Sequence, residues 1–479
     1  MNISQIINSS IISKNNFSPN GKYLLVPKGK NLVLYTLIPD IKKLDKILFN
    51  STINYIEFSP SSEYFLVLLI KVQECYIKSV SKNNFEIKIK EPIYGINSII
   101  WSSNDNNILI SLNTYNAFHI FSTQDEYENI EEELDNQNTF KYNKNFKAII
   151  SNIKYQNLPL GIKFSYNGGE FLAIIIRKQI KDWVEIYDTS NYSLSSCFIC
   201  NSVNAENIFW TKDNSFILLQ ENINYDSKLF IYSLSGNLIT ILEPYKNFKG
   251  INKLDISPNG HYITASYCDN KIRLYHYLSF KLCTELFIDG LIKPTPNKNK
   301  FFFEKTVILV ENSKKDEINF DHLFGKDKEL FNIENTLSKN IFSNNNINND
   351  YISNFSYSFN SKYLAILYTK FPNIIIIYDI TAFKLSFLIV FENNIIDFIW
   401  SPCNLQMVIC TENEDKIYFF QPQRAKAFKL PNNNNNSSNN SVNEKNKLEK
   451  SVVFSSDGKK VLYKNNKYSF FLIEPGSDI

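Results

Sequence analysis

The sequence of 479 residues contains no apolar run able to cross a bilayer. The longest, Tyr64 to Ile70, falls far short of the ~18 residues that a spanning helix requires. The opening MNISQIINSSIISKNN has neither the basic start nor the unbroken apolar core of a secretory signal. Net charge is nearly absent: 51 Lys plus Arg against 48 Asp plus Glu leave +3, too little over this length for the footprint of a phosphate-backbone binder. Cysteines number seven, an odd count spread along the chain, which fits free thiols in a reducing compartment better than a disulfide framework. We therefore expect a soluble, intracellular, cytoplasmic protein. Nucleic acid, membrane and small-molecule substrates are not favoured as partners.

Catalytic signals are missing too. The thirteen glycines form no G-x-S-x-G, no G-x-x-x-x-G-K-[ST] and no G-x-G-x-x-G. His119, His261, His276 and His322 are isolated, without the i, i+4 spacing of a metalloprotease helix. The one C-x-x-C, Cys197 to Cys200, would place its thiols on opposite faces of an extended strand, and no second pair lies at a finger-like spacing. Paired carboxylates such as Glu131-Glu132 sit in a polar stretch where nothing apolar would raise a pKa. No catalytic, cofactor-binding or metal-binding residue is assigned, no cofactor is expected, and an enzyme is not expected.

What is present is bulk and repetition. Hydrophobic residues make up 44% of the chain and include 38 Phe and 28 Tyr, enough to bury a large core. Nine segments share an apolar anchor, a small polar residue, a turn cluster and a second apolar run. The anchors are Phe17, Phe58, Trp101, Phe164, Trp210, Ile256, Tyr357, Trp400 and Phe454, mostly spaced near the ~40–45 residues of a WD40 repeat. Pro-Asn-Gly and Ser-Asp-Gly demand a tight turn before a strand. After the turn, Tyr262 to Tyr267, a turn at Asp269-Asn270, and Lys271 to Tyr275 read as strand, turn, strand. A four-stranded sheet cannot bury both faces alone, so such sheets must stack on one another.

The expected fold is all-β, a WD40-like β-propeller of about nine four-stranded blades in a single domain over 1–479. Seven blades plus an appendage, or two propellers divided by 288–350, are the alternatives. Insertions are expected at 123–147 (acidic), 288–350 (Lys- and Asn-rich) and 432–449 (Asn-rich). The stretch from Lys293 to Lys315, with Phe301, Phe302 and Phe303, reads as an inter-blade insertion carrying one apolar docking strip. Residues near Met1 are expected to pair with strands near the C-terminus, which would remove exposed edges.

Family likeness enters through ordered segments. The opening MNISQIINSSIISKNNFSPNGKYL, the segment from Arg177 to Val184, the stretch from Leu229 to Gly236 leading into Gly250-Ile251 and ISPNGHY, and Pro372-Asn373 before IIIIYDI resemble the centrosomal WD-repeat-containing protein eight family. Tyr187-Asp188 and Tyr378-Asp379 stand where that repeat has Trp-Asp, and Asp269 where its turn aspartate sits; most copies lack the Gly-His pair and the Trp. The resemblance implies a scaffold at the centrosome or spindle pole that binds a coiled-coil anchoring partner. It also implies a part in holding microtubule minus ends and a minus-end-directed kinesin there. A second reading is a translation-initiation factor of the nine-bladed propeller type, which shares aromatic-Ser-Pro anchors and binds the small ribosomal subunit.

Among the four tryptophans, Trp101, Trp210 and Trp400 occupy anchor positions and are expected in the core between blades. Trp183 instead follows Lys181-Asp182 in a locally polar segment. It reads either as a strand start with solvated charges or as a rim contact, and Lys181, Asp182 and Trp183 are the candidate protein-interaction site.

Overall fold

Serine explains the repeat. The small polar residue after each anchor (Ser18, Ser59, Ser102, Ser165, Thr211, Ser257, Ser358, Ser401 and Ser455) is at most 4% exposed. In the sixth repeat the Tyr262 N–H donates to Ser257 Oγ at 2.9 Å, and that hydroxyl donates to Asn259 Oδ1 at 2.7 Å. The same pair of bonds runs from Tyr23 N–H to Ser18 and from Ser18 to Asn20, at 2.9 and 2.7 Å. A hydroxyl is both donor and acceptor, so one buried Ser satisfies the turn from within.

In a computed structural model of the chain, the described residues are 7–8, 16–38, 40–82, 85–123, 145–246, 249–287, 293–294, 301–302, 307–310, 317–318, 352–391, 393–412, 416–422, 424–429, 451–466 and 469–473. They form nine antiparallel meander sheets, one per anchor, and a separate two-stranded pair. Sheet 1 spans 23–48, sheet 2 55–90, sheet 3 96–151, sheet 4 162–199, sheet 5 205–242, sheet 6 251–287, sheet 7 352–391, sheet 8 395–429 and sheet 9 451–473. Eight anchors are the last residue of the first strand of their sheet. The other, Phe17, makes a single bridge to Leu24 beside sheet 1, which has three full strands rather than four.

Contacts divide the chain into Ser10–Gly250, holding sheets 1 to 5, and Met1–Ser9 with Ile251–Ile479, holding sheets 6 to 9. The division falls ahead of 288–350. Within each unit the core lies between successive sheets. Leu25 and Leu34 of sheet 1 pack on Phe65 and Val67 of sheet 2, and Ala173 and Val184 of sheet 4 pack on Trp210 and Leu219 of sheet 5. In the other unit, Leu274 of sheet 6 joins Phe355 and Ile366 of sheet 7. Within each unit, successive sheets thus hide their facing sides on one another, as stacked apolar sheets must.

Of the expected insertions, 432–449 lies wholly outside the described residues, and 123–147 and 288–350 do so in part. Phe146–Ser151 is already the fourth strand of sheet 3, and residues 124–144 lie outside the described residues, as do 431–450. Within 288–350, Val307–Val310 pairs in parallel with Lys384–Phe391, and Glu317–Ile318 pairs antiparallel with Arg424–Lys429. Sheets 7 and 8 therefore have five strands, not four, because this segment covers their outer edges. Among the described residues, Phe301–Phe302 pairs with Lys293–Pro294; Phe303 and His322 lie outside them.

The expected pairing of the chain ends is present. Ile7 and Asn8 lie opposite Phe470 and Ser469, so Ile7–Asn8 is the fourth strand of sheet 9. Deleting residues 1–12 would uncover the backbone of Ser469–Ile473. A melting temperature lower by a few degrees is the expected result in calorimetry, since each ~1 kcal/mol moves the midpoint of a domain this size by about 2–4 °C.

Candidate functional site

Lys181, Asp182 and Trp183 open the third strand of sheet 4, Lys181–Asp188, and the pleat sends them to different places. Lys181 is exposed. Asp182 is 1% exposed, so the reading of this charged pair as wholly solvated does not hold. Its Oδ2 accepts from Lys154 Nζ and from the Ala205 N–H, each at 2.8 Å, while Arg177 Nε lies 3.7 Å from Oδ1. Lys154 also donates to Asn204 Oδ1 at 2.7 Å and the Ala205 carbonyl at 2.6 Å. Burial pushes the Lys154 ammonium down from its ordinary range despite its anionic partner. Trp183 is half-buried against the apolar layer between sheets 3 and 4, with Lys178 Nζ 5.8 Å from its ring centre. Sequence reasoning missed Lys154, which sits 28 residues from Asp182 and carries no motif.

Similar charge clusters occupy this end of other sheets. Asp269 does lie in the turn of sheet 6, but its partner is Arg273, which donates to both carboxylate oxygens at 3.1 and 2.6 Å. Arg273 also donates to Glu285 at 2.8 Å and faces the Tyr267 ring at 4.9 Å. In sheet 2, burial would raise the Glu74 carboxyl, but hydrogen bonds from Tyr76, Lys88, Lys90 and Asn50 hold it at about 2. In sheet 3, His119 Nδ1 lies 2.8 Å from Glu91 Oε1, with Tyr94 and Phe146 against its ring. The clusters of Glu74, Glu91 and Asp182 tie a strand to the connection between sheets, and that of Arg273 ties the strands of sheet 6; each charge meets protein partners, although Asp182 Oδ1 is buried without a hydrogen bond of its own.

Glu57, on the first strand of sheet 2, differs. Burial pushes its carboxyl up to about 7, against a hydrogen bond from Tyr55 that favours the charged form. An acid with a raised native pKa binds more protons folded than unfolded, so its stabilising effect is complete below about pH 4.5 and is lost as pH rises through about 7. Glu57→Gln is expected to flatten the fall in stability across that window. At pH 8 it should add about 2 kcal/mol, read as a rise in urea midpoint relative to the parent.

Cys197 is exposed beside Glu185 and Cys200 is buried, on opposite faces, and both are free. Among the described residues, no group of three or more His, Cys, Asp or Glu is placed to hold a metal ion. No helix of the described residues is long and apolar enough to cross a membrane. A polar cleft between sheets 2 and 3, lined by Pro60, Tyr64, Asn104, Asp105 and Thr123, is wide open, and Asp105 there already accepts from the Ser61 N–H at 2.9 Å.

The exposed apolar side chains follow a different pattern. Sequence reasoning also missed these residues, because single apolar positions inside turns have no period. Ile180 is 87% exposed at the tip of the hairpin that leads into Lys181, with φ of 73° at Ile180 and 48° at Gln179. A β-branched residue in the left-handed region is an outlier.

Comparison with known proteins agrees with this architecture. The model of the WD domain, G-beta repeat, matches residues 236–276, which hold the last strand of sheet 5 and the first three of sheet 6. The chain is similar to the WD repeat-containing protein WRAP73 of Mus musculus, with 24% identity over 431 residues that cover 87% of this chain and 86% of that protein. Among solved structures it is similar to the C-terminal WD40 domain of Sif2, with a TM-score of 0.48 and 9% identity over 90% of this chain and 99% of that one. The chain carries a WD40 repeat within an all-β array of antiparallel meander sheets of the WD40-propeller fold class.

Proposed function

We propose that the chain is a non-enzymatic WD40 scaffold of the centrosome or spindle pole. There it binds a coiled-coil anchoring protein and helps hold microtubule minus ends, with a minus-end-directed kinesin as a further partner. The observation that carries this reading is the span of the likeness to WRAP73: 87% of one chain against 86% of the other, so the likeness runs along the chain and is not confined to one repeat. The ordered segments that resemble the centrosomal WD-repeat family point the same way. Lys181 and Trp183 are proposed as part of a partner contact, with Asp182 fixing the strand that presents them.

The test is direct. The chain is tagged at its own locus in dividing cells and imaged through mitosis, with parallel purification on the tag. A focus at the poles and a co-purifying coiled-coil protein are expected. A diffuse signal in every mitotic stage would overturn the placement.

A further inference from the structure

Two kinds of turn meet at one end of the sheets of Ser10–Gly250: the hairpins between second and third strands, and the connections from one sheet to the next. Adjacent connections are tied together there, by Gln156 Nε2 donating to Asn116 Oδ1 at 2.6 Å and by Lys154 to Asn204. They form a continuous surface across sheets 3 to 5.

Apolar side chains are concentrated on that surface. Val72 (40% exposed), Ile93 (56%), Tyr115 (44%), Ile180 (87%), Val203 (68%) and Tyr225 (60%) all belong to these turns. At the opposite end, Ile38 is the one large apolar side chain exposed among the described turns of this unit, with Leu194 and Leu238 at the strand starts beside them. Single exposed apolar residues need no explanation, but a set confined to one end does.

Charge divides the same way. The exposed charged side chains of the described turns at the apolar end are all basic, among them Lys30, Lys71 and Lys249, and the adjoining strand ends add Lys28, Arg177 and Lys181. Of the acids there, Glu74, Glu91, Asp182 and Glu221 are buried in the clamps, and the half-buried Asp226 and Glu243 are both paired with Lys228. Exposed acids appear at the other end, at Asp40, Glu63, Glu170 and Asp213. A chain with a net charge of only +3 thus carries a cationic, apolar-studded end.

We propose that this end of Ser10–Gly250 is a docking surface for an acidic protein segment bearing apolar side chains. Opposite charge steers and orients such a segment, while Ile180, Val203 and Tyr225 supply the contact that leaves water. The hairpin at Gln179-Ile180 supports this. A two-residue turn with both residues at positive φ is best made by Asn-Gly, yet the chain places there an isoleucine whose side chain projects into solvent. A protein segment is favoured over a lipid surface because side-chain amides of Asn113, Asn157, Asn222 and Asn224 alternate with the apolar groups. Amides of this kind match a peptide backbone and would have to be desolvated in acyl chains. The proposal deepens the scaffold reading by naming the surface and the chemistry of the partner.

The experiment uses the full chain in dividing cells, with a photo-crosslinking phenylalanine analogue placed at Ile180 or Tyr115, or at Asp213 as the opposite-end control. The crosslinked segment is sequenced by mass spectrometry. Crosslinks from 180 and 115 should map to a net acidic segment containing apolar residues, and position 213 should give none to it. Adding Lys71→Glu with Lys181→Glu should lower the yield at least tenfold without moving the melting temperature. An unchanged yield in that variant, crosslinks only from 213, adducts to lipid or nucleic acid, a segment without net negative charge, or no adduct at all would each overturn the proposal. Pole localisation, scored in the same cells, separates failure of the surface from failure of the scaffold placement.

Discussion

Replacing Trp210 with alanine is expected to destabilise Ser10–Gly250 by about 3–5 kcal/mol, the cost of emptying a large aromatic site in a packed core. Trp210 is fully buried and lies among Ala173, Val184 and Phe198 of sheet 4 and Ile217 and Leu219 of sheet 5. Its Nε1 donates to the Lys163 carbonyl at 2.9 Å, and Phe171 stacks at 6.5 Å between centroids. The indole therefore joins two sheets both by volume and by a directed bond. Trp400 repeats the arrangement, donating to the Ser356 carbonyl at 3.2 Å. Thermal melts should show a drop of roughly 10 °C for Trp210→Ala. Trp210→Phe keeps most of the volume and loses the bond, so about 1–2 kcal/mol is expected. Trp183→Phe makes the contrast, because the Nε1 of Trp183 has no hydrogen-bond partner to lose. A large loss there, or none at 210, would contradict the role given to the anchors.

The anchors were legible because their burial is paid for locally in the sequence by the turn that follows them. The same turn shows why the repeats look degenerate. The fourth residue after the anchor adopts positive φ, and Gly21, Gly168, Gly260 and Gly458 hold it in four repeats. Ser62, Asp105, Asn214 and Ser361 hold it in four others, also at positive φ. Each of these uses its side chain to receive a backbone N–H from the preceding turn: Asn20 to Ser62 at 3.0 Å, Ser61 to Asp105 at 2.9 Å, Tyr166 to Asn214 at 2.7 Å and Asn259 to Ser361 at 2.9 Å. A missing glycine is thus not a lost repeat but a cross-sheet bond in place of conformational ease. Sequence alone could not show this, since donor and acceptor are about one repeat or more apart. The buried clamps were hidden for the same reason. Asp182 meets Lys154 and Ala205 only after two sheets have packed, and the segment reads as polar until then.

Asp182→Ala is the second large effect, about 3–5 kcal/mol, because it leaves an ammonium buried without its counter-ion. The Lys154 side chain is 6% exposed and would retain Asn204 Oδ1, the Ala205 carbonyl and the Tyr155 ring at 5.2 Å, all neutral. The Ala205 N–H would lose its acceptor as well. Lys154→Met in the parent removes the cation and strands the carboxylate, so it should also cost several kcal/mol. The double variant removes both charges and should recover at least half of the combined loss, a coupling of about 2 kcal/mol or more in a double-mutant cycle by urea unfolding. Lys181→Ala, on the same strand but exposed, should change stability by no more than about 0.5 kcal/mol. That difference separates presentation from contact. If the strand's charges served folding alone, Lys181→Ala would leave partner capture intact; weaker capture at an unchanged melting temperature marks Lys181 as the side chain that meets the partner, with Asp182 holding it in place.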